Sequence, residues 1–257
     1  MFVDTHAHLQ WASFDDDRKN VLERAKEKRV TRIVNIGFDI DGSLKGVELA
    51  DSHKELYATV GIHPHNANAL DKKTVDKLRE LAANPKVVAI GEIGLDYYRN
   101  LSPREVQKQA FETQLVLAQE LELPVVIHDR EAHDDVLQVL SRFKGKIKGV
   151  MHCFSGNKEM AQQCTDLGFK ISFNGTITYP KAHELRGIAK WIDLKSILLE
   201  TDCPFLAPQE VRGKRNEPSF LPMIAQEIAN LKRVSVDDLA ETTTRNAEEI
   251  LKLSAAP

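Results

Sequence analysis

Phe2-Val3-Asp4-Thr5-His6-Ala7-His8 sets the reading of this chain: a short apolar run leads in, and side chains that carry chemistry follow. On a β-strand, alternate side chains point to opposite faces. Asp4, His6 and His8 are therefore expected on one face, and Val3, Thr5 and Ala7 on the other. Two imidazoles two residues apart at a strand end can approach one cation, and neutral imidazole suits zinc, manganese, iron or nickel. Two surface histidines near a terminus would read the same way, so the decision lies further along the chain.

The same pattern returns. Short, β-branched apolar runs at 2–6, 32–36, 56–61, 87–91, 124–128, 148–152, 170–173 and 196–200 give eight candidate strands. Amphipathic stretches at 17–28, 42–52, 72–83, 103–122, 132–143, 158–166 and 181–191 are candidate helices, with one or two more after residue 220. The helix from Pro103 carries the clearest start signal. Ser102 is the expected N-cap, Pro103 takes the first helical position and Glu105 completes a capping box. Phe111, Leu115 and Ala118 then recur at helical spacing. Strands alternating with helices imply a parallel sheet with crossover helices. Eight such units in 257 residues fit one (β/α)8 TIM barrel, a single domain over residues 1–257. An open doubly wound sheet is the competitor, and its Gly-x-Gly-x-x-Gly turn is missing.

Composition narrows the class. The 42% hydrophobic content supplies a core, and no run is long and apolar enough to span a membrane. The N-terminus enters the first strand without a basic-plus-apolar leader. Three cysteines with no Cys-x-x-Cys pair point to a reducing, cytoplasmic location. A net charge of -3 is not the footprint of a basic nucleic-acid-coating protein. A polyanionic substrate must then be handled locally, by metal ions and a few basic residues. No long hydrophobic stripe is left over after the barrel helices, so a monomer is expected.

In a barrel, catalytic groups come from the C-terminal ends of the strands. His6 and His8 end strand one, His63 strand three, Glu92 strand four, His128 strand five, His152 strand six, and Glu200 and Asp202 strand eight. Of nine histidines only His53, His133 and His183 lie in or beside helical stretches, where they read as surface or capping residues. His65 reads as a loop histidine. Each end residue alone has a plainer reading: His128 or His152 as a satisfied core imidazole, Glu92 as an acid paired to Arg99, Asp202 as a turn cap. Together they would bring several unpaired polar groups to one barrel mouth, which is costly without a counter-charge. His6, His8, Glu92, His128, His152 and Asp202 exceed the three ligands usual for one catalytic zinc. They suit two divalent ions about 3.5–4 Å apart with Glu92 between them. His6, His8 and Asp202 would complete one site, and His128 and His152 the other. Two cations can make hydroxide from a shared water at neutral pH, and Asp202 is placed to accept the proton as general base. Asp4 and Glu200 would orient the imidazoles and the water. Arg99, Arg130, Lys181 and the 212–218 loop with Lys214 and Arg215 point to an anion, although a charge run is usually a solvated surface. His63 would contact a phosphate or assist the leaving group, or serve as a structural histidine before Pro64.

Asp4-Thr5-His6-Ala7-His8, Gly61-Ile62-His63-Pro64, Gly91-Glu92-Ile93-Gly94-Leu95-Asp96-Tyr97, Val126-Ile127-His128-Asp129-Arg130, His152-Cys153-Phe154-Ser155-Gly156, Leu199-Glu200-Thr201-Asp202-Cys203-Pro204 and Arg212-Gly213-Lys214-Arg215-Asn216-Glu217-Pro218 together resemble the TatD family of metal-dependent deoxyribonucleases. That family lies within the amidohydrolase-like barrel superfamily, and the resemblance runs the length of the chain. It implies a TIM barrel binding divalent metal through the same six residues. Glu92 takes the place that a carbamylated lysine holds in many amidohydrolase relatives. It also implies hydrolysis of DNA phosphodiesters, often as a 3′–5′ exonuclease that prefers single strands. Arg99, Arg130, Lys214 and Arg215 would then position the backbone, with little base specificity. The same site could attack a carbonyl instead, as in an amidohydrolase or an aminoacyl-tRNA deacylase. The donor set admits Mg, Mn or Zn.

Overall fold

The computed structural model describes residues 1–253. Eight parallel strands lie in sequential order: β1 (Phe2–Ala7), β2 (Val30–Asn35), β3 (Leu56–Val60), β4 (Val87–Asp96), β5 (Val125–Arg130), β6 (Gly149–Met151), β7 (Phe169–Phe173) and β8 (Ile197–Leu199). The crossovers are α1 (Arg18–Glu27), α2 (Ile40–Ser52), α3 (Lys72–Ala82), α4 (Arg104–Glu120), α5 (His133–Ser141), α6 (Lys158–Asp166) and α7 (His183–Trp191). Two more helices follow, α8 (Leu221–Lys232) and α9 (Val236–Leu251). The ring closes just past β8, where Ala7 bridges Cys203 in parallel and the His6 carbonyl accepts from the Asp202 amide at 2.8 Å. This is the expected TIM barrel. Among the described residues no helix is long and apolar enough to cross a membrane.

The two ends of the barrel differ in chemistry. Val3, Val34, Val88, Val126, Val150 and Leu198 pack with Ala247, Ile250 and Leu251 of α9, an apolar plug at the end where the strands begin. The other end holds buried polar groups, including Asp4, His6, Glu92, Asp96 and Glu200.

Three local readings change. The Thr5 hydroxyl lies 3.3 Å from Ser172 on β7, two strands away around the ring, so Thr5 faces the barrel interior. Simple alternation would then turn His6 outward. The register of β1 on β2 shifts between Asp4 and Ala7, however, and such an irregularity changes which face a side chain takes. His6 turns inward, while Asp4 reaches Thr201 beyond β8; the two do not share a face as expected. The second change is in β4, which continues to Asp96 rather than ending at Gly91. A Cβ on Gly94, at φ 140°, would fall 2.0 Å from the His128 carbonyl, so glycine permits a β4–β5 approach that a side chain would block. Finally, α4 begins at Arg104 with Pro103 as N-cap, and no capping box forms. Buried Ser102 donates its hydroxyl to the His65 carbonyl instead, tying this loop to the one after β3.

Helix α1 is pinned to the loop before α8 by two arginine–carboxylate forks. Arg215 donates to both oxygens of Asp17 at 2.8 Å, and Arg24 donates to both oxygens of Glu217 at 2.8 and 2.6 Å. The Arg215 fork, with Arg24 behind it, holds the Asp17 carboxyl at about 2. A folded-state pKa below the unfolded one adds stability above the unfolded value and loses it on acidification. The stability difference between wild type and Asp17→Asn, read by urea unfolding, should be full near pH 6 and shrink between about pH 4 and pH 2. A difference that stays constant through that window would show that the fork adds nothing.

Candidate metal centre

Glu92 sits at the centre of the barrel mouth, 4% exposed. Its Oε1 lies 2.8 Å from His128 Nδ1 and 3.6 Å from both His63 Nε2 and His152 Nε2. Its Oε2 faces the other way, 3.5 Å from His6 Nε2 and 4.0 Å from His8 Nε2. Asp202 Oδ1 completes that side, 3.6 Å from His6 Nε2 and 3.5 Å from His8 Nε2. The structure therefore brings all six expected donors together, and adds His63 at their edge. Three groups of donor atoms lie within 4.8 Å of one another: His6, His152 and Asp202; His6, His8 and Glu92; His63, Glu92 and His128.

These atoms fit a cation better than they fit one another. His6 Nε2 and His8 Nε2 are 3.1 Å apart, two ring nitrogens facing each other in a buried site. Ligands at about 2.1 Å in tetrahedral array are roughly 3.4 Å apart, so this spacing suits a shared ion. Polar partners stand on the far side of two of the rings. His8 Nδ1 faces the Ile36 carbonyl at 3.2 Å, and His152 Nδ1 lies 2.9 Å from Glu200 Oε1. His8 Nδ1 then carries the hydrogen and leaves a lone pair on Nε2, the usual support of a histidine ligand. His63 is the opposite case. Its Nδ1 accepts from the His65 amide at 3.1 Å, so in the neutral ring Nε2 carries the hydrogen and donates into the mouth. His128 has a carboxylate at each nitrogen, Glu92 at 2.8 Å and Asp96 at 3.2 Å.

Electrostatics divide the rings differently. Burial, reinforced by neighbouring histidines, pushes the His6 and His63 imidazoles down toward the neutral form. Burial disfavours charge on His128 and His152 too, but carboxylates outweigh it: Asp96 and Glu92 lift His128 to about 9, and Glu200 and Glu92 lift His152 to about 10. Burial raises Glu92, yet the ring of imidazoles holds it well below the usual carboxylate range. Asp202 is held low in the same way, against its burial, by His8, His152 and His6. Its backbone is left-handed at φ 56°, as is that of Cys153 at φ 45°, and non-glycine residues adopt this at a cost where a site demands it. The Cys153 turn aims its amide at Glu200 Oε1, 2.7 Å away.

Other expected residues fall into place or out of it. Glu200 lies beside His152. Asp4 does not touch an imidazole; it accepts from the Thr201 amide and hydroxyl and from the His6 amide. Arg130 lies on the mouth side of β5, stacked 3.9 Å over the Tyr98 ring. Arg99 is exposed, and its amide donates to Asp96 Oδ1. Lys214 is exposed. Arg215 is turned toward α1: three of its five N–H groups go to Asp17 and the Ser13 carbonyl, so its fork pins a loop. The sequence reading assigned no part to Asp96, which accepts from His65 at 2.7 Å as well as facing His128. Its signal in the sequence is a second acid four residues after Glu92, past the apolar run at 87–91. His53, His133 and His183 lie at helix ends outside this cluster.

The sequence pattern of the family described as TatD related DNase matches residues 3–252. The chain is 41% identical over 255 residues to YabD of Bacillus subtilis, described as an uncharacterized metal-dependent hydrolase, covering 99% of this chain and all of the relative. It is 38% identical over 261 residues to the 3′-5′ ssDNA/RNA exonuclease TatD of Pantoea ananatis, covering 97% of this chain and 99% of the relative. The crystal structure of the TatD homolog YJJV from Escherichia coli superposes with a TM-score of 0.93 at 31% identity over 98% of each chain.

Because the donors converge in the fold but not in the unfolded chain, cation binding should stabilise the folded state. At a divalent ion concentration 100-fold over its Kd the gain is about 2.7 kcal/mol, a rise in Tm of roughly 5–10 °C for a chain of this size. Thermal melts after chelation and refilling should show that rise in wild type and lose most of it in Glu92→Gln. An equal shift in both proteins would place the ion elsewhere.

Proposed function

The chain belongs to the TatD related DNase family, and on that premise we propose that this metal-dependent hydrolase cleaves DNA phosphodiesters as a 3′–5′ exonuclease on single strands. The observation that carries the reading is Glu92, whose two oxygens face two separate groups of imidazoles within one buried mouth. His6, His8 and Asp202 would hold one divalent ion, His128 and His152 a second, with Glu92 shared between them. Bound there, such ions supply neutralisation of phosphate charge and acidification of a water.

The protein's own groups do the rest. Asp202 is the most open carboxylate of the cluster, its side chain 12% exposed against 5% for Glu92 and 0% for Glu200. It accepts the proton of the attacking water at a carboxylate oxygen. Its left-handed backbone, anchored by the ladder bond to His6, keeps it from swinging away. His63 presents Nε2–H to a phosphate oxygen or to the leaving oxygen, a role that its tautomer supports over that of ligand. Glu200, 2.9 Å from His152 Nδ1, orients that ring from behind. Arg130 and Arg99 sit on the β4–β5 side, where they would steer the backbone; among the described residues neither guanidinium has an ion-pair partner. Such contacts read charge rather than sequence.

Digestion of a 5′-labelled single-stranded DNA by chelated protein refilled with Mg, Mn or Zn should give a shortening ladder. Asp202→Asn should lose about 10²–10⁴-fold in rate while keeping its fold by circular dichroism. No cleavage with any ion, in protein shown to hold metal, would transfer the reading to acyl hydrolysis by the same site. Rates at low substrate should also fall with salt. Arg130→Ala should weaken cleavage evenly across sequences and reduce the log–log salt slope by about 0.7; an unchanged slope would remove Arg130 from the phosphate path.

A further inference from the structure

Beside the donor cluster lies an aromatic surface that neither the fold nor the chemistry above requires. Trp11, Phe38 and Phe205 come from three different loops, those after β1, β2 and β8. These strands are neighbours around the barrel, so the three rings meet on one sector of its mouth. Trp11 lies 5.7 Å from Phe38 and 5.2 Å from Phe205, ring centroid to ring centroid. Phe38 and Phe205 in turn approach the His8 imidazole at 5.8 and 6.3 Å, edge to face. The aromatic surface thus abuts the cluster with no intervening layer.

Two of these rings remain substantially in water: Trp11 is 39% exposed and Phe205 43%. Contiguous apolar surface exposed at the rim of a site marks binding. The rings are also held in place. Phe38 packs on the first turn of α2, where a Cβ on Gly42 would fall 2.9 Å from its ring. The Phe205 amide bonds the Asp202 carbonyl at 2.9 Å, and its carbonyl accepts from Asn216 at 2.6 Å. A fixed, exposed aromatic surface beside a phosphodiester site has the chemistry to receive the flat face of a nucleobase. Stacking of this kind tolerates any base, because every base has a π-face.

We propose that Trp11, Phe38 and Phe205 form a stacking platform for an unpaired nucleobase adjoining the bond that is cleaved. This rests on the phosphodiesterase reading and gives it a source of strand preference. A base within a duplex has both faces covered by its stacked neighbours and must be unstacked before it can reach the platform. A base in a single strand or a frayed end need not be. The platform lies on the β8–β1–β2 side and Arg130 on the β5 side, so a strand held by both crosses the cation cluster.

The test compares an ordinary single-stranded oligonucleotide with the same chain carrying tetrahydrofuran abasic residues at its 3′ end, which keep the phosphates and lack the π-face. Trp11→Ala and Phe205→Ala should each raise KM on the ordinary chain roughly tenfold and leave kcat nearly unchanged. Wild type should lose a similar factor on the abasic chain. The variants should lose little more there, and Trp11→Phe should restore most of the affinity. If a ring only propped up its loop, its alanine variant would raise KM by the same factor on both chains. Fluorescence gives a second readout, since the chain has two tryptophans, Trp11 and Trp191. In Trp191→Phe protein, the oligonucleotide should quench Trp11 emission more than the abasic chain does. Wild-type cleavage with no KM change in either alanine variant and no preference for the ordinary chain overturns the platform while the hydrolase reading stands. If wild type cleaves no oligonucleotide the hydrolase reading falls, and the quenching of Trp11 then decides the platform alone: present, it stands; absent, it is overturned.

Discussion

A carboxylate buried among imidazoles is the constraint on which the rest of this molecule depends. Glu92 reaches histidines from β1 and from the ends of β3, β5 and β6. Taking a charge out of water is costly unless it is paired, and the pairing here is supplied by side chains that the barrel gathers from across the sequence. The barrel alone does not finish the task. A second tier of acids stands behind the first: Glu200 behind His152, Asp96 behind His128 and His65, and Asp4 behind the Thr201 turn that presents Asp202. Each fixes a ring or a turn, so the donor atoms arrive already aimed.

That placement separates stability from chemistry along the barrel axis. At the far end, α9 seals the strands with alanine, isoleucine and leucine, and its Glu248 and Asn246 tie it to Arg32 of β2 and to the Ile197 carbonyl of β8. At the mouth, the strained turns at Cys153 and Asp202 and the register shift in β1 are local costs. They are tolerated because the apolar layers around and beneath them hold the strands in place. The β1 shift is the clearest exchange: it interrupts regular pairing and turns His6 toward the interior, where its ring stacks on His152 at 3.5 Å.

Much of this was legible in the sequence because it depends on patterns that survive without coordinates. Alternating apolar runs and amphipathic stretches give the barrel, and histidines and acids placed just after the runs give the mouth. What was not legible depends on departures from regular pattern. Plain alternation put Asp4 beside His6, and only the pairing register reveals the shift that parts them. The apolar run stops at Gly91, whereas β4 continues to Asp96 because glycine at Gly94 lets it approach β5 closely. A cluster of positive charge in 212–217 looked alike throughout, yet Arg215 is bound to Asp17 and only the fold could say so. The aromatic sector was invisible for a further reason. Trp11, Phe38 and Phe205 are distant in sequence and carry no spacing signal; they meet only because β8 closes on β1.

The sign of charge at the mouth has a consequence for how a polyanion is received. Asp4, Glu92, Asp96, Glu200 and Asp202 gather there, and the nearby cationic side chains are few. On a protein whose net charge is already -3, this mouth has no lasting positive field to draw in a phosphate. The imidazoles cannot provide it while serving as ligands, because a ring that donates a lone pair is uncharged. Attraction for a phosphate at the centre must therefore come with the bound cations, while the edges contribute what does not depend on them: a guanidinium on one side and exposed aromatic faces on the other. On the proposed function, affinity for a strand and occupancy of the metal site are linked through charge, and the proposed platform at the rim acts on the strand after charge has drawn it in.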